Sequence, residues 1–482
     1  MRRMLSKILS ILILTSLLMS IFTSYAFASS ADSVTVADNA PGISSLKSKD
    51  VIWPSFSGDL HSQNAILIDA NSHCLLYDKG ADQKIYPASI TKILTALVVM
   101  EYVSSLDDIF VFSASSITQD IDRDSTTIGA IYGDRLTIKE GLYCLLLASA
   151  NDVANALAEH IAGNNKDFAL LMNNLAKKIG CTNSNFTNPT GMHDENHYTT
   201  CSDLAKIVSY ALQYELFTQI TSAISYRHAP IRKYKDPENS NNVVYNSDKM
   251  LATTNPYYIK GIISGKTGHT SVAGYNLSTV VRQNNTTLIA ITCGAAKINQ
   301  RYADTKQMLT WAFRNFKSLQ INTADPRFAK NVGNLSIDGI DVITPQIINV
   351  DSNKYITLPR DVYFEDLTST LTFSEIDEND PYSVGMVKYY YKDILVGSAS
   401  IRGTKTLDIN SIDISNIPTR QKDTDEIGRK LAVVPRDYLI KYEGGQFIVN
   451  PQFIKYLIAF GITLIVLFII LFNLGNRNKR YR

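Results

Sequence analysis

The segment YPASITK at residues 86–92 places a serine three positions before a lysine, at Ser89 and Lys92. On a helix, residues i and i+3 share a face, so the Lys92 amine can reach the Ser89 hydroxyl. A serine hydroxyl becomes a good nucleophile when a base takes its proton, and a lysine can be that base when burial or another cation lowers its pKa. Apolar residues follow at helical spacing and predict a buried helix that begins at Ser89, namely Ile90, Ile93, Leu94, Leu97 and Val98.

A second motif, Ser149-Ala150-Asn151, falls between two predicted helices. The Ser149 hydroxyl could relay a proton between a base and a leaving group, and the Asn151 amide could orient an amide substrate. Serine and asparagine also cap helices, so the same residues could serve only as a helix start. The spacing recurs at 240–242 in a polar loop, which makes this motif weak on its own.

A third motif, Lys266-Thr267-Gly268, occurs once, just before a predicted hairpin over 275–292. On an edge strand, Lys266 and Thr267 can hold a substrate carboxylate, and Gly268 lets a backbone come close. The alternative interpretation is a simple turn before a strand.

The three motifs together resemble a known family, although a lone S-x-x-K recurs at 44–47. In this order, they are typical of penicillin-binding proteins and class A β-lactamases. The chain resembles the low-molecular-mass penicillin-binding proteins, which are serine-type D-alanyl-D-alanine carboxypeptidases of peptidase family S11. The resemblance extends beyond the three motifs. It includes residues 157–159 in the helix after the second motif, the Asn-Pro-x-Gly loop at 186–192 and the segment 261–275 around the third motif. This chain departs from the family at two positions. Family members often carry an acidic residue where this chain has Val272, and a cysteine where it has Asn276.

The resemblance implies an α+β fold, with an antiparallel sheet packed against helices in a transpeptidase-like domain, and a two-step reaction. Lys92 would take the proton of Ser89, which would attack the carbonyl between two terminal D-alanines of a peptidoglycan stem peptide. Ser149 would pass the proton to the departing D-alanine, and water would then hydrolyse the acyl-enzyme. The remaining substrate-binding residues implied are Asn151, Lys266, Thr267 and Gly268, with the backbone N–H groups of Ser89 and His269 as the oxyanion hole. No metal or cofactor is implied, and β-lactams would acylate the same serine.

Three rival functions share these residues. A class A β-lactamase uses a glutamate to activate the water that deacylates the enzyme. The segment 149–266 contains no Glu-x-x-Leu-Asn element, and the residues around Glu195 and Glu215 do not match that element. A transpeptidase differs only in its acceptor, which the sequence does not distinguish. An inactive wall-binding scaffold is disfavoured by the complete motifs, but Val272 leaves it open.

The ends of the chain predict export and membrane attachment. An apolar run after Arg2, Arg3 and Lys7, followed by Ala26-Phe27-Ala28, is typical of a cleaved signal peptide. Near the C-terminus a charge-free apolar run is long enough to cross a bilayer, and the basic residues after it favour a cytoplasmic tail. We therefore expect a single-pass protein of the cell membrane whose catalytic domain lies outside.

The predicted organisation has seven parts in 482 residues, of which 45% are hydrophobic and 19% charged. They are a signal peptide (1–28), a flexible leader (29–54), a catalytic domain (55–320), a small all-β domain (325–415), a stalk (416–452), a transmembrane helix (453–474) and a basic tail (475–482).

Charge and cysteine content argue against a nucleic-acid-binding, metal-binding or disulfide-rich protein. Without the three positive charges of the signal and the four of the tail, the net charge of +2 becomes −5, which argues against nucleic acid as a partner. The five cysteines are odd in number and widely spread, so they fit neither a metal site nor a disulfide framework and are predicted to be small buried residues.

Overall fold

The computed structural model describes the chain from residue 51 onward, with gaps. The described residues are 51–122, 125–232, 242–328, 335–337, 340–342, 348–373, 375–377, 380, 382–403, 440–443 and 446–449. The predicted signal peptide, most of the leader, the transmembrane helix and the basic tail lie outside them. Within the described ranges, no helix is both long enough and apolar enough to cross a bilayer.

The chain divides after Thr406 into two units, and the first contains the strands β1–β17 and all described helices. Its strands are β1 Asn64–Asp69, β2 Leu75–Lys79, β3 Ile109–Val111, β4 Arg135–Thr137, β5 Ser225–Arg227, β6 Val243–Tyr245, β7 Ile262–Thr270, β8 Gly274–Gln283, β9 Thr286–Ala295, β10 Phe316–Gln320, β11 Leu335–Ile337, β12 Ile340–Val342, β13 Ile348–Asn349, β14 Tyr355–Pro359, β15 Thr368–Thr372, β16 Ser383–Tyr391 and β17 Ile394–Gly403.

The helices of this unit are α1 Lys92–Tyr102, α2 Ile138–Tyr143, α3 Asn151–Ala162, α4 Asn165–Ile179, α5 Cys201–Ala211, α6 Glu215–Thr221, α7 Ile298–Asn315 and α8 Ile321–Ala324. Short 3₁₀ turns lie at Ala88–Thr91, Lys249–Leu251 and Phe364–Asp366, and a π-helical turn lies at Cys144–Ala148. In the second unit, β18 Ile440–Glu443 and β19 Gln446–Val449 form a hairpin inside the predicted stalk, where no strand was expected.

A five-stranded antiparallel sheet in the order β2-β1-β9-β8-β7 forms the centre of the first unit. Both of its faces are buried. Along β1, Ile66 and Ile68 join the core beneath the helices α1–α6, whereas Ala65 and Leu67 join the core beneath α7 because successive side chains of a strand point to opposite faces. The expected antiparallel sheet packed against helices is therefore confirmed.

Local signals in the sequence account for three of the helix ends. Thr137 and Glu140 form a capping box at the start of α2. The helices α3 and α4 end at Gly163 and Gly180, which adopt left-handed φ values of 81° and 91°. The predicted helix at Ser89 begins as a 3₁₀ turn and becomes α-helical at Lys92.

The predicted small all-β domain contains the strands β14–β17. A four-stranded sheet, β13-β17-β16-β15, packs near the pair formed by β10 and β14. A buried carboxylate joins this region to the central sheet: Asp69, on β1, accepts hydrogen bonds from Ser318 (2.5 Å) and Thr357 (2.8 Å). The two regions therefore share a polar network at the end of β1.

All five cysteines are free and buried, which confirms the prediction that they are small core residues. Burial raises the pKa of the Cys181 thiol to about 12. No cluster of three or more His, Cys, Asp or Glu side chains suited to a metal ion occurs among the described residues.

Candidate active site

Ser89 is half-buried, and Lys92 lies fully buried beneath it. The Lys92 Nζ atom lies 3.0 Å from Ser89 Oγ, 2.6 Å from Asn151 Oδ1 and 2.5 Å from the carbonyl oxygen of Thr190. The last two partners can only accept hydrogen bonds. A neutral amine has two N–H donors and one lone pair, so it can satisfy both acceptors and still receive the proton of Ser89.

The electrostatic surroundings favour this neutral amine. Burial holds the pKa of Lys92 well below 10.5, and the nearby charge of Lys266 lowers it further, while Asp152 acts in the opposite direction. Removing a charged amine from water disfavours its protonated form. Lys92 therefore meets the requirement of a general base beside a serine nucleophile.

The Asn-Pro-x-Gly loop supplies one of the acceptors for Lys92. Asn188 Oδ1 accepts hydrogen bonds from the backbone N–H groups of Thr190 (3.2 Å) and Gly191 (2.8 Å). This local turn fixes the Thr190 carbonyl toward the lysine. The loop thus holds a carbonyl acceptor in place for the Lys92 amine.

Ser149 ends the π-helical turn in a left-handed conformation, with φ of 63°. Its Oγ lies 2.9 Å from the Nζ of Lys266, which also donates to the carbonyl oxygen of Thr267 at 2.9 Å. Lys266 is fully buried, and burial lowers its pKa to about 7; Arg301 lowers it and Asp248 raises it. The second and third motifs are therefore joined through one lysine.

The third motif lies on β7, an edge strand of the central sheet, as its substrate-binding interpretation requires. A Cβ atom added at Gly268 would lie 2.8 Å from the carbonyl oxygen of Pro87, so only glycine permits this approach of β7 to the serine segment. Thr267 Oγ1 lies 2.8 Å from Ser247 Oγ. The exposed His269 ring stacks on Tyr275 at a centroid distance of 4.1 Å.

Three buried residues that sequence reasoning did not select hold the site together. Arg301, on α7, donates to the carbonyl oxygens of Gly268 (3.2 Å) and Asn276 (3.1 Å). Asn276 Nδ2 donates to the carbonyl oxygen of Tyr86 at 2.9 Å. An arginine on the buried face of a helix was the available sequence signal for Arg301. Asn276 was noted only as a departure from the family.

The third residue is His197, which supports the segment between Ser89 and Lys92. Burial lowers the pKa of His197 to about 4, so its ring is neutral. Its Nδ1 accepts the backbone N–H of Thr187 at 3.1 Å, which leaves Nε2 to donate to Thr91 Oγ1 at 2.9 Å. No neighbouring motif in the sequence pointed to this residue.

Comparison with known families agrees with this geometry. The family model for D-alanyl-D-alanine carboxypeptidases, peptidase family S11, matches residues 50–297, just over half of the chain. The chain belongs to the peptidase S11 family. All three motifs and the Asn-Pro-x-Gly loop fall inside the matched range.

Proteins of similar sequence support this family assignment, at sequence identities of 28% and 31%. The chain is 31% identical over 276 residues to the D-alanyl-D-alanine carboxypeptidase DacF of Bacillus subtilis, covering 56% of this chain and 66% of that protein. It is 28% identical over 286 residues to DacA of Haemophilus influenzae, covering 57% of this chain and 68% of that protein. Just under two thirds of the Bacillus protein is therefore matched.

Solved structures show the same fold in both parts of the first unit. Penicillin binding protein 5 from Haemophilus influenzae covers 73% of this chain and 99% of its own, with 23% identity and a TM-score of 0.58. Penicillin binding protein 6B from Escherichia coli covers 74% and 99%, with 22% identity and a TM-score of 0.53. The α+β fold followed by a β-domain is therefore shown.

Proposed function

We propose that this S11 family member is a serine-type D-alanyl-D-alanine carboxypeptidase that removes the terminal D-alanine from peptidoglycan stem pentapeptides. The observation that carries the proposal is the set of partners around Lys92 Nζ, in which two fixed acceptors leave the lone pair for the Ser89 proton. A depressed lysine pKa beside a serine hydroxyl is what acyl transfer at neutral pH requires.

The first half-reaction forms an ester on Ser89. Ser89 Oγ bonds to the carbonyl carbon of the penultimate D-alanine while its proton moves to Lys92. The N–H groups of Ser89 and His269 stabilise the oxyanion, since β7 lies against the serine turn. When the C–N bond breaks, the proton passes by way of Ser149 to the amine of the leaving D-alanine.

Lys266 and Thr267 bind the terminal carboxylate during this step. The ammonium of Lys266 supplies charge, and the hydroxyl of Thr267 supplies a hydrogen-bond donor. Asn151 holds Lys92 in place and faces the substrate amide. In the second half-reaction, water attacks the ester, Lys92 takes its proton, and Ser89 is regenerated.

Release of D-alanine tests this proposal. The full-length protein in detergent is incubated with a peptide ending in D-alanyl-D-alanine, and free D-alanine is measured with time. We expect steady release by the wild type and none by Ser89→Ala. No release by wild type, or undiminished release by Ser89→Ala, would overturn the proposal.

Two further experiments distinguish the rival activities. A fluorescent penicillin should give a long-lived adduct on Ser89, whereas its rapid hydrolysis would indicate a β-lactamase. Addition of an amine acceptor such as glycine should leave release of the hydrolysed peptide dominant; a dominant peptide–glycine product would indicate a transpeptidase. Absence of both adduct and release would indicate an inactive scaffold.

The location of the enzyme is part of the proposal. The apolar segment 453–474 and the basic residues after it support a single-pass anchor with the catalytic domain outside the cell membrane. The full chain should sediment with membranes, and a chain ending at residue 452 should be released to the soluble fraction. A truncated chain that remains membrane-bound would contradict the anchor.

A further inference from the structure

Ser247 lies in the short segment between β6 and the 3₁₀ turn at Lys249–Leu251, and it contacts two parts of the site. Its Oγ atom lies 2.8 Å from Thr267 Oγ1. Its backbone N–H donates to the carbonyl oxygen of Leu147 at 3.0 Å, in the π-helical turn that ends at Ser149. One residue outside the three motifs therefore joins the second motif to the third.

The segment that carries Ser247 is held on both sides. Asn246 Nδ2 donates to two carbonyl oxygens at and just after the end of α6, at 2.9 and 3.0 Å. On the other side, a Cβ atom added at Gly265 would collide with the carboxyl group of Asp248, so the segment packs directly against β7. Ser247 therefore holds its hydroxyl group at a fixed point beside Thr267, with little further loss of conformational entropy when a ligand binds.

Ser247 and Ser149 approach β7 at adjacent residues. Ser149 contacts Lys266, and Ser247 contacts Thr267. Because β7 is an edge strand, these contacts lie at a border of the central sheet that no further strand of that sheet covers. Lys266 and Thr267 bind the substrate carboxylate in the proposed function, so Ser247 lies directly beside the carboxylate-binding groups.

The chemistry of two neighbouring hydroxyl groups gives this contact a direction. A hydroxyl group has one donor and two acceptor positions, whereas a carboxylate only accepts. When the substrate binds, Thr267 therefore donates its proton to the carboxylate. Ser247 then donates to Thr267 Oγ1, which keeps both hydroxyl groups paired and polarises the Thr267 O–H bond toward the substrate.

We propose that Ser247 is a positioning residue that orients the Thr267 hydroxyl group toward the substrate carboxylate and thereby strengthens the selection of donors with a carboxylate on the leaving group. The inference rests on the proposed function, because it takes Thr267 as a carboxylate-binding group. The hydrogen bond from the Ser247 backbone to Leu147 does not involve the side chain. A substitution can therefore remove the hydroxyl group and leave the π-helical turn held in place.

Two thioester donors that differ in one group test this role. Both carry a D-alanyl acyl group; the first has a carboxylate on its leaving group, and the second has the methyl ester of that carboxylate. The readout is the ratio of kcat/KM for the two donors, measured with the full-length protein in detergent. We expect the wild type to prefer the carboxylate donor. Ser247→Ala should reduce this preference by about threefold to tenfold, the usual effect of one hydrogen bond between uncharged groups, and the reaction of the ester donor should not change.

Two further substitutions form a matched pair. Ser247→Thr and Ser247→Val introduce side chains of similar shape, of which only threonine has a hydroxyl group. The threonine variant should keep the wild-type preference, and the valine variant should lose it as the alanine variant does. This pair also serves if the alanine variant does not fold. Ser222→Ala, at an exposed serine just after α6, is the control and should react as the wild type does.

The outcomes separate the inference from the proposed function. An unchanged preference in folded Ser247→Ala, an equal loss with both donors, or equal preferences in the threonine and valine variants would overturn the inference. Wild-type protein that reacts with both donors equally would instead contradict the carboxylate-binding role of Lys266 and Thr267. Wild-type protein that reacts with neither donor would overturn the proposed function itself.

Discussion

The side-chain amide of Asn276 donates a hydrogen bond to the carbonyl oxygen of Tyr86 at 2.9 Å, which joins β8 to the segment just before Ser89. The same Nδ2 lies 3.2 Å from the carbonyl oxygen of Pro87, and Oδ1 accepts the Gly294 N–H at 2.9 Å. One side chain therefore fixes the serine segment against two strands of the sheet.

Replacement of Asn276 by alanine should slow acylation. It leaves buried carbonyl groups without a donor, at a cost of about 1–3 kcal/mol, and it frees the serine segment to shift. We expect kcat/KM for D-alanine release to fall by roughly tenfold to a hundredfold. Asn285→Ala, in the exposed turn between β8 and β9, is the matched control and should retain wild-type activity. Equal activity in the two variants would show that Asn276 does not position the serine.

Lys92→Met should remove the base and leave the fold intact. Loss of a positioned general base lowers a rate by about a hundredfold to ten-thousandfold. The rate of penicillin acylation measures this effect, and thermal unfolding shows whether the variant is folded. Lys166→Met, at an exposed position on α4, should acylate as the wild type does. A Lys92→Met protein that still acylates within threefold of wild type (roughly 0.7 kcal/mol) would assign the base elsewhere.

Lys266→Met should abolish carboxylate binding and stabilise the protein. Below about pH 7 the buried Lys266 is charged in the native state, and this charge is costly; the unfolded chain keeps its proton up to about 10.5. Between these values the unfolded state binds more protons, so wild-type stability rises with pH through this window. The variant should gain roughly 1–4 kcal/mol below pH 7 and lose that advantage near pH 10.

Urea unfolding at several pH values measures this difference. The expected sign follows from the lowered pKa, since a lysine that is harder to protonate in the native state makes acid conditions unfavourable for folding. A Lys266→Met protein that is less stable than wild type at pH 6 would mean that the hydrogen bond to Ser149 outweighs the cost of burial.

Local chemistry made much of this fold predictable. The capping box of Thr137 and Glu140 starts α2, and glycines at 163 and 180 end α3 and α4. Each signal acts within one turn of the chain, so it can be recognised in the sequence alone. The three motifs predicted which residues meet at the site, and the structure brings them together.

Contacts between distant residues could not be predicted in the same way. Arg301 acts on Gly268 across 33 positions, and His197 supports Thr91 across 106. No spacing in the sequence encodes such pairs, because they follow from how α7 and the segment before α5 pack on the site. The hairpin β18–β19 was missed because the segment 416–450 mixes charged residues, Pro418, Pro435 and Gly444-Gly445, a composition typical of a linker.

The burial of all five native thiols makes this protein suitable for site-selective chemical labelling. A cysteine introduced at Val272, which is 55% exposed in the turn between β7 and β8, should react with a maleimide dye well before any native thiol. Native wild-type protein should show almost no reaction with a thiol reagent, and urea-unfolded protein should show five reactive groups. A dye at position 272 would then report optically when a ligand arrives beside β7.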